Sequence, residues 1–491
     1  MDREIIKQVF GLKIRQIRDK KKLSLSSLAA MTGLSKSYLN EIEKGKKYPK
    51  LDKIMLLSNH LDIAYEELVS LKFDKKYAPI GHLIQSQILS KIPFHIFGLK
   101  ESNIIDLLVN EPLKGSAFVQ LVGKMAKNQQ INFHDFLMEI LLLRREQQHN
   151  FFADIEQEVI EFSHLHAINL SVYHFSADFL ALLTQKFGYD IHEDGLVGHD
   201  DLKNFDSLTV LPSKKLLLQG QLSEHQRHLI FAQELGYAHL SINERPCTNP
   251  ALPLDDYTLL SNAFRSTYFA SALILPYEKL VNAFRQLFQQ ETFNALLFDE
   301  IVGSFNASPG MFYRRLNQVL PHAFSLKGAF YLHINGGGTD QLFHLEESLF
   351  SNDKFLSNAL IPNEHLCQRW VAIKVLQDSS KRKVKHEFDI QISEHPSEGK
   401  SYLILSSATK HESKDEMYSS FSMGFLITEQ LRQKVRFIAD PKIRRQVVGV
   451  TCEQCPIHDC MERRVPATAL LQSREKQRIE DAVQAINKAL Q

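Results

Sequence analysis

Ile6, Phe10, Ile14 and Ile17 recur at helical spacing with lysines and arginines on the other faces, so residues 3–22 are expected to form a helix. A second helix is expected from about Ser24 to Met31. Thr32-Gly33-Leu34 reads as a turn, because glycine admits a left-handed backbone at little cost. Ser35 has the chemistry of an N-cap for a third helix ending near Lys44, before Gly45. Pro49 then separates a fourth helix, Leu51 to Leu61, and a short fifth near Tyr65 to Leu71. Together these elements form a small helical bundle.

From Phe73 to about Ser163 the pattern stays helical and is interrupted by Pro79, Pro93 and Pro112, with an amphipathic helix over Leu137 to Asn150. Further on, a helix is expected at 174–187. Short strands at Leu208 to Leu211 and Lys215 to Gln219 precede helices at about 223–241, 257–275, 277–302 and 308–318. The segment 328–440 changes character. Ala329 to Ile334 reads as a strand, Asn335 to Gly338 as a turn and Gln341 to Leu345 as the return strand. Trp370 to Leu376, Glu387 to Ile392 and Tyr402 to Ser406 are expected as further strands, and 471–491 as a polar helix. The fold class expected is multidomain. An all-α helix–turn–helix domain over 1–72 leads into a helical spacer and dimerisation region over 73–163. A mostly helical α+β middle domain spans 164–325, an α+β C-terminal domain spans 326–470, and 471–491 forms the terminal helix.

Composition narrows the function classes. With 44% hydrophobic and 23% charged residues in 491, the chain has enough apolar surface to bury a core, which excludes disorder over most of its length. No apolar run approaches the roughly 18–20 residues of a membrane span, and Met1 to Lys7 has no apolar core of a signal peptide. A cytoplasmic protein that does not insert into membranes is expected. Residues 1–72 hold 15 Lys+Arg and 9 Asp+Glu, a net of +6 against +1 for the whole chain, so the other 419 residues carry −5. A basic module on a mildly acidic body suits nucleic-acid binding at one end. Five cysteines are an odd number, which argues against a disulfide framework.

Leu28, Ala29, Gly33, Leu34, Leu39 and Ile42 give the apolar skeleton of a helix–turn–helix. The stretch Leu25 to Gly45 resembles the lambda-repressor-like family of bacterial regulators, departing from it at Leu25, where the family often has Gln. The resemblance implies a third helix lying in the major groove of double-stranded DNA. Ser35 starts that helix. Lys36, Ser37 and Asn40 point away from the skeleton toward base edges. Lys44, Lys46 and Lys47 follow it and are placed to meet phosphates.

Residues 226–240, QRHLIFAQELGYAHL, look like the zinc-peptidase helix of the ImmA/IrrE type. Such a helix needs two imidazoles at i and i+4 to reach one metal. Here those positions hold Gln233 and Tyr237, and only Glu234 matches. His228 and His239 are eleven residues apart, too far along a helix to share an ion. The resemblance continues over Thr267 to Tyr277, and Arg265 stands where a third, acidic ligand is expected. It implies a retained fold and an absent hydrolytic site, hence no catalytic residues.

Cys452, Cys455 and Cys460 form a Cys-x2-Cys-x4-Cys run, a spacing suited to zinc or an iron–sulfur cluster. The spacing leaves the fourth ligand open among Cys367, His458 and Cys247. The order of helix–turn–helix, helical spacer, degenerate peptidase-like segment and cysteine run ending in Arg463 and Arg464 resembles the short-chain fatty acyl regulator family. In that family a Cys, a polar residue, Arg and Trp precede the run, and Cys367-Gln368-Arg369-Trp370 matches. The resemblance therefore implies Cys367 as fourth ligand, a [4Fe–4S] cluster or zinc as cofactor, an acyl-CoA ligand, a homodimer, and control of acetate or propionate metabolism. Lys381, Arg382, Lys383 and Lys385 form a basic run suited to a ligand's phosphates. Two other readings stand beside this one: an iron–sulfur or redox sensor without acyl ligand, and a zinc peptidase acting on a partner regulator.

Overall fold

The computed structural model describes residues 3–69, 92–97, 133–172, 174–305, 307–336, 343–351, 360, 364–396, 398–410 and 417–489. Most of the helical pattern read over 73–131, and the tip of the turn at 337–342, lie outside the described residues. The chain divides into two compact units, residues 1–140 with 253–260 and residues 141–252 with 261–491.

In the first unit, α1 (Arg3–Lys20), α2 (Leu25–Thr32), α3 (Lys36–Glu43), α4 (Leu51–Leu61) and α5 (Tyr65–Val69) follow the expected order within two residues at each end. The caps explain the boundaries. Ser24 accepts from the Ser27 N–H at 2.9 Å, and Ser35 accepts from the Tyr38 N–H at 3.1 Å. Gly33 ends α2 at φ +65°. Phe10, Ile14, Leu28, Leu39, Ile42 and Leu57 meet in one apolar cluster. A β-carbon on Gly11 would come within 2.1 Å of the Ile42 carbonyl oxygen, so glycine there lets α1 lie directly on α3.

In the second unit the described elements include α6 (Phe133–Gln147, which crosses from the first unit), α7 (Ala153–Leu165), α8 (Ser176–Gln185) and a small sheet. That sheet has strands β1 (Asp190–His192), β2 (Ser207–Val210), β3 (Lys215–Leu218) and β4 (Thr248–Asn249), in the order β1-β3-β2-β4. β1 runs parallel to β3, and the other pairs are antiparallel. α9 (Glu224–His239), α10 (Tyr257–Ile274), α11 (Tyr277–Phe288), α12 (Ala295–Gly303) and α13 (Pro309–Ala323) follow. The single helix expected over 277–302 is two helices, because α11 stops at Phe288 and Asn294 caps a new start at the Leu297 N–H.

A six-stranded sheet completes the unit. Its strands are β5 (Ala329–Gly336), β6 (Phe343–Ser351), β7 (His386–His395), β8 (Lys400–Lys410), β9 (Tyr418–Leu426) and β10 (Arg444–Val447), in the order β10-β7-β8-β9-β5-β6. Only β10 pairs in parallel, with β7. Alternation divides the side chains of this sheet. Tyr331, Leu403, Leu405, Met423 and Phe425 join the large core that includes α13. Phe330, Leu332, Ile334, Tyr402 and Ile404 instead pack with α14 (Val371–Arg382).

α14 corrects the strand expected over Trp370 to Leu376. Val371, Ala372, Val375, Leu376 and Ser379 are buried at spacings of one and four residues, a helical stripe. Its β-branched residues have the composition of a strand, but packing on the sheet decides the period. β9, with Ser419, Ser420 and Ser422, and β10, with Arg444 and Arg445, were not anticipated, because these polar residues interrupt the apolar signal. α15 (Glu429–Lys434) and the terminal helix α16 (Thr468–Ala489) close the chain.

Candidate nucleic-acid interface and cysteine centre

The third helix is amphipathic by placement as well as pattern. Leu39 and Ile42 are fully buried, while Lys36, Ser37 and Asn40 are exposed together. Ser35, also exposed, is committed to capping Tyr38. Lys44 is the C-cap, and the backbone N–H groups of Lys46 and Lys47 donate to the Glu41 carbonyl at 2.9 and 3.2 Å. That places three exposed lysines just past the recognition helix. Lys47 is not equivalent to the other two. Its ammonium lies 3.6 Å from Glu41 and 5.0 Å from the centre of the Tyr38 ring.

A buried brace fixes this helix. Arg18 of α1 forks onto both oxygens of Glu43 at 2.6 and 2.9 Å and also donates to the Leu23 carbonyl at 2.8 Å. The hydrogen bond with Glu43 holds the Arg18 guanidinium above its usual range, against the effect of burial. Glu43 lies at the end of a charged run and gave no sign in the sequence of being buried.

α9 and the residues around it are locked by side-chain pairs. Gln233 donates to Thr267 and accepts from Asn249, each at 2.9 Å. Glu234 takes Arg245 at 2.7 Å and the Thr209 hydroxyl at 2.9 Å. The Arg245 guanidinium lies 4.1 Å from the Tyr237 ring centre. Burial pushes the phenols of Tyr189 and Tyr237 well above their usual range, so both stay protonated beside this pair. His239 meets Glu158 at 3.1 Å, and His228 packs on Phe179 at 4.7 Å between ring centres. Arg245 was invisible to spacing because it lies beyond the helix.

The cysteine region is organised by a strand-like crossing. Leu366 pairs with Thr451, the Cys367 N–H donates to the Val450 carbonyl at 3.0 Å, and the Cys452 N–H donates to the His365 carbonyl at 2.8 Å. The Trp370 indole donates to the Gly449 carbonyl at 2.8 Å. Cys367, Cys452 and Cys455 are buried, and Cys460 is half-buried. Burial pushes the Cys367 thiol up to about 11, with backbone N–H groups of Arg369 and Gly449 pulling the other way and Cys455 and Cys452 close enough to act on it electrostatically. A β-carbon on Gly449 would lie 2.8 Å from the Cys455 sulfur. Arg463 closes the loop by donating to the carbonyls of Cys452 (2.7 Å), Cys455 (3.2 Å) and Ile457 (2.5 Å). Among the described residues, no three His, Cys, Asp or Glu side chains stand at metal-holding distances.

Of the alternative fourth ligands, His458 is exposed and lies 3.3 Å from Arg474, while Cys247 adjoins β4 in the small sheet. Glu364 and Glu453, which accept from Thr451 at 2.5 Å and from the His365 ring at 2.7 Å, were not singled out in the sequence. The basic run ends α14: Arg382 pairs with Glu387 at 2.5 Å, and Lys383 is the left-handed C-cap. Lys381 and Lys385 are exposed.

Residues 14–68 match the helix–turn–helix family HTH_3. No curated protein matches the sequence. Among solved structures, a Mycobacterium tuberculosis transcriptional regulator is similar at 16% identity and a TM-score of 0.48, over 66% of this chain and 92% of that one. No helix among the described residues is long and apolar enough to cross a membrane. The caps, the left-handed turn at Gly33, the exposed face of α3 and the family match together make the N-terminal module a DNA-binding helix–turn–helix domain.

Proposed function

We propose that this chain is a homodimeric, sequence-specific transcriptional regulator whose larger unit senses a short-chain acyl-CoA and controls carboxylate metabolism. The observation that carries the regulator reading is the exposed Lys36, Ser37 and Asn40 face on a capped, internally braced recognition helix. One such module contacts only a few base pairs, so two half-sites on a dimer supply the affinity that a regulator needs. The acyl-CoA reading rests on the family resemblance of the cysteine run and the Cys367-Gln368-Arg369-Trp370 sequence.

The chain is proposed not to be an enzyme. Glu234 is held by Arg245, a fixed cation, and Gln233 and Tyr237 are engaged elsewhere. A carboxylate so paired, with neither neighbouring position offering an imidazole, has no metal-bound water to activate. The cysteines are proposed to hold a thiolate-bound group, [4Fe–4S] or zinc, on the spacing of the run and on the family resemblance. Cys452 and Cys455 lie close enough to the buried Cys367 to act on it electrostatically, backbone N–H groups of Arg369 and Gly449 point at its sulfur, and a β-carbon on Gly449 would crowd the Cys455 sulfur. Cys367, Cys452, Cys455 and Cys460 would hold it. The same cysteines carry the second reading, in which the cysteine centre itself is the signal.

The test is selection of bound sequences from a random duplex library by the full chain, followed by gel-shift titration with propionyl-CoA and acetyl-CoA. The expected result is an enriched two-half-site motif whose complex responds to one acyl-CoA and not to free coenzyme A. Enrichment of no motif overturns the regulator reading. A motif whose complex responds only to oxidation favours the second.

A further inference from the structure

A groove of about 720 Å³ runs between α14 and the segment that follows Cys460, a volume in the range of small-molecule sites. Lys374 and Lys381 line one wall, and Arg463 and Arg464 the other. Glu462 is the one acidic residue of its described lining, and it lies 4.0 Å from Arg369. Four cations thus gather on a body whose residues 73–491 carry a net −5. Phe343 and Leu376 add an apolar floor, and Met461, 94% exposed, stands at the rim. Gln368 joins the walls, its carbonyl accepting from Gln377 at 3.3 Å and from Arg464 at 3.4 Å.

We propose that this groove binds a phosphate-bearing small molecule, with Lys374, Lys381 and Arg464 on its phosphates and Phe343 against an apolar or aromatic portion. Arginine forks and lysine point charges are the groups that recognise phosphate, and an aromatic wall beside them selects a ligand over free anion. A DNA backbone is the weaker fit. Phosphate tracks follow an extended basic strip, whereas these cations surround a single cavity with apolar walls. The groove is framed by residues next to two cysteines, Gln368 after Cys367 and Met461 after Cys460. A ligand spanning both walls therefore ties α14 to the cysteine loop, and binding at either place biases the other by the same free energy. The proposal goes beyond the regulator reading and does not require that the ligand be an acyl-CoA.

The experiment is calorimetric titration of the full chain with ADP, inorganic pyrophosphate and propionyl-CoA, in parallel with the double variant Lys374→Ala/Arg464→Ala. The exposed positions of both residues leave the fold intact, checked by an unchanged thermal transition, and Lys381→Gln provides an independent variant. Saturable one-to-one ADP binding is expected, weakened about tenfold or more in the double variant and severalfold in Lys381→Gln. ADP is also expected to slow tryptic cleavage after Arg464. Equal ADP affinity in all three proteins, or no saturable binding of ADP or pyrophosphate, overturns the groove. Propionyl-CoA binding equally to wild type and double variant, with no ADP binding, keeps the acyl-CoA reading and sinks this one. ADP binding without any acyl-CoA binding does the reverse. If the double variant loses affinity for duplex DNA while neither phosphate probe binds, the groove is a DNA track and the proposal fails.

Discussion

Arg245 lies 2.7 Å from Glu234, with 2% and 8% of the two side chains exposed. The guanidinium is the positive charge that faces the buried Glu234 carboxylate of α9. Truncating one partner strands the other in a poorly solvated site. Arg245→Met is therefore expected to cost about 3–5 kcal/mol in denaturant unfolding, and Arg245→Met/Glu234→Leu distinctly less than the sum of the two single changes. Additive costs would show that the two charges are not coupled.

On DNA, Lys46→Ala is expected to weaken binding to all sequences alike and to lower the log–log salt slope by about 0.9 for each phosphate it no longer neutralises. Lys47→Ala should do less, because Lys47 is shared with Glu41 and the Tyr38 ring. Asn40→Ala should relax preference at one base position by about 1–3 kcal/mol. Gel-shift titrations at several salt concentrations read all three. Unchanged binding in all of them means the recognition helix is assigned wrongly.

Two half-buried carboxylates of the second unit are paired with arginines and are expected to contribute to its acid stability. Burial works to raise Glu156 and Glu347, but Arg315 and Arg314 outweigh it and hold both below the usual carboxylate range. Arg315 forks onto Glu156 at 2.6 and 2.9 Å. A depressed folded value means the stabilisation is complete above the unfolded carboxyl value near about 4.3 and is lost as pH falls through the folded one. Glu156→Gln should remove about 3 kcal/mol at pH 7 and flatten the stability curve below about pH 4.5. An unfolding profile as steep as the wild type's would refute this.

For the cysteines, anaerobically purified protein is expected to contain zinc or iron with sulfide. Cys367→Ser, Cys452→Ser, Cys455→Ser and Cys460→Ser should each lose it and expose 440–470 to proteolysis, since metal binding is folding free energy for such a loop. Cys247→Ser and His458→Ala should keep it. Full metal content in Cys367→Ser together with loss in His458→Ala would move the fourth ligand to the histidine.

α16 leaves Leu471, Ile479, Val483 and Ile486 each more than half exposed, over a helix of 22 residues and about 33 Å. An apolar stripe of this kind suits pairing with a second copy. Ile479→Lys/Ile486→Lys should halve the mass measured by light scattering at micromolar concentration and lower operator affinity. A mass unchanged by the substitution would remove α16 from the dimer interface.

The N-terminal module is legible almost completely without a structure. Its helices are short, their boundaries are set by local chemistry at Ser24, Gly33 and Ser35, and their apolar positions repeat within a single turn or two. Capping and periodicity are nearest-neighbour properties, so one chain suffices to read them. Relations between distant segments are different, and folding alone reveals them. Arg18 with Glu43, Arg245 with Glu234, and Cys367 crossing Val450 all join residues whose spacing carries no pattern. Trp370 to Leu376 shows the limit most plainly. Its β-branched composition fits a strand, yet burying Val371, Val375 and Ser379 on one face against the sheet makes it a helix, because removal of apolar surface from water outweighs intrinsic propensity.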